Sequence, residues 1–357
     1  MSPGIFTSTT SRFSPRANPD VPSGRSTAAR LALLAVIAVV IVASSSLLGP
    51  TPLSEIFGQR APNLFWQLRV PRTCLAAAAG AGLALGGVIF QALFRNPLAE
   101  PYTLGVASGA SLGAAVAMLT GLTGFLGWIP LSVLLALAGA AGALGLVYLM
   151  ARLRGGQSMT HLLLAGVCVS YLSAAGILLV TYASDGTVTN EIVVWLMGSL
   201  SFYRPAASLE VVALVLVVLA FAIFASRGLD LLALGEHVAA SRGVAVQPLI
   251  WTSFVLVGLL TAVIVANCGP IAFVGLMIPH FGRALFGART LPLTIAAALL
   301  GAAFLAACDG LGRVALSLIH QRPVGYEFPV GVLTSIVGSA FFFYLLARAE
   351  PARIGPE

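Results

Sequence analysis

The sequence predicts an all-α integral membrane protein with about ten transmembrane helices, and three observations carry that reading. The 357 residues are 59% hydrophobic and 9% charged, a composition that excludes a water-soluble domain. The apolar residues fall into runs near the roughly 20 residues that a helix needs to cross a bilayer. The arginines are divided unequally between alternate loops, as the positive-inside rule requires of an even number of crossings.

In chain order, residues 1–29 are too rich in Ser, Thr, Pro and Gly to pack and read as a disordered cytoplasmic tail. A cleaved signal peptide is the rival reading. The apolar run Leu31–Leu48 is long for a signal core and lacks a small-x-small cleavage site, so a retained helix is favoured. A ten-helix membrane domain follows over 30–350, with crossings at 31–49, 71–93, 103–122, 127–151, 162–183, 208–226, 249–268, 270–287, 291–309 and 328–347, and a short cytoplasmic tail closes the chain at 351–357. With the N-terminus inside, 13 arginines fall on the cytoplasmic side and 6 outside. Three of the outer ones, Arg69, Arg72 and Arg313, stand against helix ends. The stretch "GPIAFVGLMIPHFGRALFG" (269–287) breaks an apolar crossing with two prolines, Pro270 and Pro279, before reaching His280 and Arg283. The stretch "LLALGEHVAASRGV" (231–244) is too polar to span and reads as a short amphipathic helix with Leu234, Val238 and Ala239 on one side, or as a plain surface loop.

Several motifs suggest chemistry and do not support it. All 19 basic residues are arginine, so the lysine of a phosphate-binding P-loop is missing and any ATP-driven motor is another polypeptide. "GASLG" (109–113) matches a nucleophile elbow around Ser111, but it lies inside a membrane helix, where Gly105, Gly109 and Gly113 read as a packing face. "GAGLALGG" (80–87) has the wrong spacing for a dinucleotide loop and reads as helix packing. His161, His237, His280 and His320 have no metalloprotease spacing, and Cys74, Cys168, Cys268 and Cys308 read as buried, inert thiols. Asp309 lies near the end of its crossing and the other acids fall in loops or at margins, so an ion-coupled carrier has little support.

Four stretches resemble the FecCD-type permease family, the membrane subunits of importers for iron-siderophore, haem and cobalamin. They are "RVPRT" (69–73), "FRNPLAEPYTLGVASGASLGAA" (94–115), "GPIAFVGLMIPHFGRALFG" (269–287) and "EFPVGVLTSIVGSAFFFYLL" (327–346), with "LLLAGV" (162–167) and "WLMGSLS" (195–201) in support. The motif residues include Asn96, Pro97, Gly269, Pro270, Pro279, His280 and Arg283. The resemblance implies a fold like the cobalamin-importer permease, a type II ABC importer. It also implies a homodimer, or a pair with a related permease, resting on two cytoplasmic ABC ATPase subunits that bind the ATP. A soluble extracytoplasmic binding protein docks from outside, and the whole sits in the bacterial inner membrane with both termini cytoplasmic.

By the same resemblance, Arg69, Arg72 and Arg313 meet acidic residues of the binding protein. Residues 229–246, in particular Leu234, Gly235, Glu236, Val238, Arg242 and Gly243, couple to the ATPase. Gly269-Pro270 opens a short helix that Pro279-His280-x-x-Arg283 closes. Snorkelling at the membrane margin, for the arginines, and a kink without a transport role, for the prolines, are the plainer alternatives. The connection 317–331 is longer than the family usually shows and adds Arg322 and Tyr326. The chain therefore reads as a permease subunit for a metal chelate, most readily a ferric siderophore, else haem or cobalamin. No enzymatic chemistry, cofactor of its own, bound metal or nucleic-acid partner is expected. An ion-coupled secondary carrier and an intramembrane protease built on Ser111 are the rivals.

Overall fold

The computed structural model describes residues 24–49, 65–122, 124–126, 129–153, 159–200, 205–319 and 328–348. Most of the N-terminal tail, the C-terminal tail after 350 and most of the long connection 317–331 lie outside the described residues.

In order, the helices are α1 (Gly24–Leu47), α2 (Val70–Phe94, entered through a π-helical turn at Phe65–Arg69), α3 (Val106–Leu119), α4 (Leu131–Leu153) and α5 (Met159–Ala183). Then come α6 (Gly186–Leu196), α7 (Pro205–Phe224), α8 (Ser226–Leu234), α9 (Glu236–Ser241), α10 (Val246–Cys268), α11 (Val274–Phe286), α12 (Thr290–Ile319) and α13 (Val330–Arg348). A two-residue antiparallel hairpin, β1 (Phe125–Leu126) with β2 (Ile129–Pro130), is the one sheet among the described residues. Every expected crossing contains a helix. Eight are long and apolar enough to cross a bilayer, whereas α3 and α11 have 14 and 13 residues. At 1.5 Å per residue these two rise only about 20 Å, against a hydrocarbon core of about 30 Å.

Two boundaries differ from the sequence reading. α1 begins at Gly24, inside the stretch assigned to the tail, because Ala28-Ala29-Arg30 continues the helix on good formers. α12 runs ten residues past Asp309 to Ile319, so Asp309 and Arg313 lie within a helix rather than at its end. The thiols differ as well: Cys268 and Cys308 are buried, but Cys74 and Cys168 are on exposed helix faces.

α2 is the central helix, with nine-tenths of its span buried against α1, α7, α10, α11 and α12. Its small residues explain this. A Cβ at Gly80 would strike the Gly301 carbonyl of α12, and one at Gly87 would strike the Gly275 carbonyl of α11, so α2 meets both neighbours backbone to backbone. The "GASLG" helix behaves likewise, with Gly109 and Gly113 against the Gly139 and Leu135 carbonyls of α4. Gly105 does something else: at φ +73° it turns the chain into α3.

Candidate functional site

The breaks in α11 form a site of their own. Pro270 is not in the first turn of the short helix, as the sequence suggested. It lies four residues earlier, in irregular backbone, and α11 starts at Val274 behind Phe273, which adopts φ +70°. Three chain segments cross at that point. A Cβ at Gly269 would strike the Trp195 carbonyl oxygen, and one at Gly198 that of Pro270; at Gly331 it would strike that of Met197. Ser199 N–H donates to the Cys268 carbonyl at 2.9 Å and Gly331 N–H to the Gly198 carbonyl at 3.2 Å. A fourth segment joins them, since Ile271 N–H donates to the Tyr102 hydroxyl at 2.6 Å and Phe273 N–H to the Glu100 carboxylate. Irregular backbone is tolerated inside a membrane protein only when it is buried and hydrogen-bonded, and these contacts supply the bonds. Glu100 therefore belongs to the interior, not to a margin, and it faces the N-terminal end of a helix, where a carboxylate is favoured.

Pro279 does not end α11 either. It sits inside the helix, buried, and removes the N–H that would serve the Gly275 carbonyl, a substitution that costs about 3 kcal/mol in an ordinary helix. Gln91 of α2 repairs the gap: its Nε2 donates to the carbonyls of Gly275 at 3.3 Å and Leu276 at 3.4 Å. Arg283 in turn donates to Gln91 Oε1, so it is turned inward rather than solvated at the interface. His280 packs edge-on against the Phe341 ring at 5.6 Å. The close approach at Gly87 and Gly275 is what lets Gln91 reach.

At one end of the bundle two of the three singled-out arginines, Arg72 and Arg313, share one carboxylate, and the third, Arg69, caps the end of α1. Arg72 places Nε and Nη2 on Asp309 Oδ1 at 3.1 and 2.8 Å, and Arg313 Nη2 lies 2.9 Å from Oδ2. Arg313 also donates to the Ser45 carbonyl at 3.0 Å and Arg69 to the Leu47 carbonyl at 3.2 Å. Those carbonyls belong to the last turn of α1, where the helical donors run out, and Ser45 also accepts from Leu48 N–H at 3.2 Å. Asp309 and Arg313 are 2% and 4% exposed, and Arg69 is 8% exposed. The cluster thus ties α1, α2 and α12 together, which the reading of these arginines as outward-facing residues at helix ends did not foresee.

The opposite end carries α8 and α9. The amphipathic element is two short helices broken at Gly235, whose φ +136°, ψ 149° only glycine adopts readily. Gly243 ends α9 at φ +81°, with Val244 N–H returning to the Ala239 carbonyl at 3.0 Å. Leu234 and Val238 point outward, 72% and 41% exposed, but Ala239 is fully buried and so faces the other way from the expected apolar side. Glu236 lies 3.9 Å from Arg95, which closes α2 in the left-handed region at φ 50°. Asn96 folds the next residues into a turn by accepting from Leu98 N–H at 2.9 Å, leaving Pro97 and Leu98 exposed. Arg242 is exposed on the same element.

The model of the FecCD transport family matches residues 30–348. The chain belongs to the FecCD transport family. The permease is 32% identical over 331 residues to the Yersinia pestis hemin transport system permease HmuU, covering 91% of this chain and 97% of that one. It is 38% identical over 289 residues to the Escherichia coli Fe(3+) dicitrate permease FecD, covering 79% and 84%. A solved ABC transporter in an inward-facing conformation, assigned to the metal-chelate type, superposes with a TM-score of 0.79 at 32% identity, covering 90% and 99%. The expected family, all-α membrane fold and FecCD-type permease function therefore stand.

Four of the permease's matching stretches converge at Gly269–Phe273, and nothing in their spacing signals that they meet. The signals for the partners were faint: Gln91 is a lone amide in an apolar helix, and Asp309 and Arg313 share the i,i+4 spacing that lets a helix pair them. Among the described residues no three His, Cys, Asp or Glu side chains are grouped as a metal site would need.

Proposed function

We propose that this permease carries a metal chelate, most readily a ferric siderophore, else haem or cobalamin, across a bacterial inner membrane, as one half of a homodimer or of a pair with a related permease. Two cytoplasmic ABC ATPases bind all the ATP and press on α8–α9. An extracytoplasmic binding protein docks at the arginine end, with both termini on the ATPase side. The observation that carries the ATPase assignment is the helix pair itself: α8 and α9 break at Gly235 and turn Leu234 and Val238 out, an apolar surface beside Arg95 and Arg242 that needs a protein partner. The names of HmuU and FecD support the cargo class. Docking is an exchange of partners: carboxylates of the binding protein compete with Asp309 for the forks of Arg72 and Arg313, and Arg69 offers a third.

The test is reconstitution with and without the ATPase encoded beside the gene, following labelled ferric siderophore, haem and cobalamin in parallel. Uptake is expected only with the ATPase and ATP inside the vesicle, and is expected to persist when ion gradients are collapsed. Gradient-driven uptake by the permease alone, for any of the three, would overturn the reading.

A further inference from the structure

The bundle contains a connection between its two ends along a helix that lies outside the motif stretches of the sequence. α12 is the longest α-helix among the described residues, 30 residues and about 45 Å by the helical rise. Its first residue, Thr290, is 3% exposed and presents an N–H that no preceding turn of its own helix can accept. That N–H donates to Asp230 Oδ1 at 2.8 Å, and the Thr290 hydroxyl donates to the same oxygen at 2.6 Å. Asp230 is not on α12. It is the fifth residue of α8, which is anchored on the bundle by Leu229 and Leu232, 0% and 1% exposed, and leads directly into Gly235 and α9. A carboxylate at a helix N-terminus meets both the orphan donors and the positive end of the helix dipole. Nineteen residues on, within the same helix but at the opposite end of the bundle, Asp309 and Arg313 hold α2 through Arg72 and α1 through the Ser45 carbonyl. Between the two ends, Gly80 and Gly301 seat α12 on α2 with their backbones in contact, so the rod cannot slide on its neighbour freely.

We propose that Asp230 is a positioning residue for energy coupling: it grips the N-terminus of α12, so that displacement of α8–α9 by an ATPase moves the helix that carries the Asp309–Arg313 pair at the opposite end. The inference rests on the assignment of α8–α9 to the ATPase. Proximity alone does not make a pathway, and what gives this one content is a joint of two hydrogen bonds at one end, a tight seat in the middle and an ion pair at the other.

Two substitutions break the joint by different routes. Asp230→Ala removes the acceptor. Thr290→Pro removes both donors at a first helical position, where proline suits the start of a helix. Asp230→Asn keeps an oxygen acceptor and serves as the conservative rescue. Each variant is purified with its ATPase and binding protein and reconstituted, using whichever of haem, ferric siderophore or cobalamin the wild-type complex accumulates. Asp230→Ala and Thr290→Pro are expected to retain the ATPase and its basal hydrolysis while uptake per ATP falls at least about fivefold, the low end of measured couplings between sites. Asp230→Asn is expected to keep most of the uptake per ATP. Wild-type uptake per ATP in either of the first two variants would overturn the proposal, and so would loss of the ATPase from the Asp230→Ala complex, which would make Asp230 part of the contact surface. A wild-type complex that holds no ATPase fails differently, because it removes the assignment of α8–α9 on which the inference stands.

Discussion

At the scale of single residues, the polar side chains of this bundle repair backbone or neutralise one another. Gln91 serves the Gly275 carbonyl, which Pro279 leaves without its helical donor, and reaches the Leu276 carbonyl beside it; an unsatisfied buried carbonyl costs about 1–3 kcal/mol. Gln91→Leu is therefore expected to lower the melting temperature of the detergent-solubilised permease by several degrees, with a loss of about 2 kcal/mol. In a Pro279→Ala background the helix regains its own donor, and the loss should shrink. Equal losses in the two backgrounds would remove the repair role. The arginine cluster makes a second demand. Charge reversal at Arg69 and Arg72 reads from the sequence as a clean docking lesion, but Arg72→Glu would set a carboxylate against the buried Asp309, and breaking such a pair costs about 3–5 kcal/mol. We expect Arg72→Glu to lower expression and thermal stability sharply, and the swap Arg72→Asp with Asp309→Arg to recover part of both, as judged by size-exclusion chromatography and melting curves. Full stability of Arg72→Glu alone would show that the pair is dispensable.

At the scale of elements, α8–α9 and α11 owe their shapes to special backbone conformations. Gly235 joins two short helices at φ +136°, and a β-branched residue there is strained whatever space surrounds it. Gly235→Val should therefore change the angle of α9, and with it the presentation of Val238 and Arg242, without touching the spanning helices. ATP hydrolysis in reconstituted vesicles is expected to lose its stimulation by the loaded binding protein, with basal hydrolysis kept. Normal stimulation together with normal uptake would argue against a coupling role for the element. A Cβ at Gly243 meets no atom within 4 Å, so Gly243→Val acts only through its backbone and should be milder than the Gly235 change.

At the scale of the whole molecule, α2 is the fixed centre and α12 the long strut beside it, linking the end that bears α8–α9 to the end that bears the arginines. Among the described residues, Glu100 and Asp309 are interior carboxylates, the kind of group an ion-coupled carrier uses when it lies bare. Each is instead spoken for, Asp309 by two guanidinium groups and Glu100 by the start of α11. Persistence of uptake after the gradients are collapsed is the expected consequence, and it belongs to the assembly with its ATPase rather than to any one helix.

The sequence by itself determined the class, the number of crossings and the position of each. Apolar runs of bilayer length can do little but form helices, and the glycines of α2 and α3 announce close packing through their spacing. It also placed a short helix or loop between α7 and α10, because a polar stretch between two membrane spans has to lie outside the bilayer, but not the break at Gly235 that makes it two helices. Only the tertiary structure decided what the polar residues are for. Asp309 looked marginal because the apolar run ends there, yet α12 continues because Arg72 and Arg313 neutralise the carboxylate inside the bundle. Pro270 and Pro279 looked like the ends of a helix. One instead lies in a junction built from four distant segments, and the other sits in a helix whose missing hydrogen bond comes from Gln91, 184 residues away from the carbonyl it serves. Periodicity and composition are local, whereas the partner of a buried charge or carbonyl is chosen by which helices pack together, and no stretch of the sequence records that.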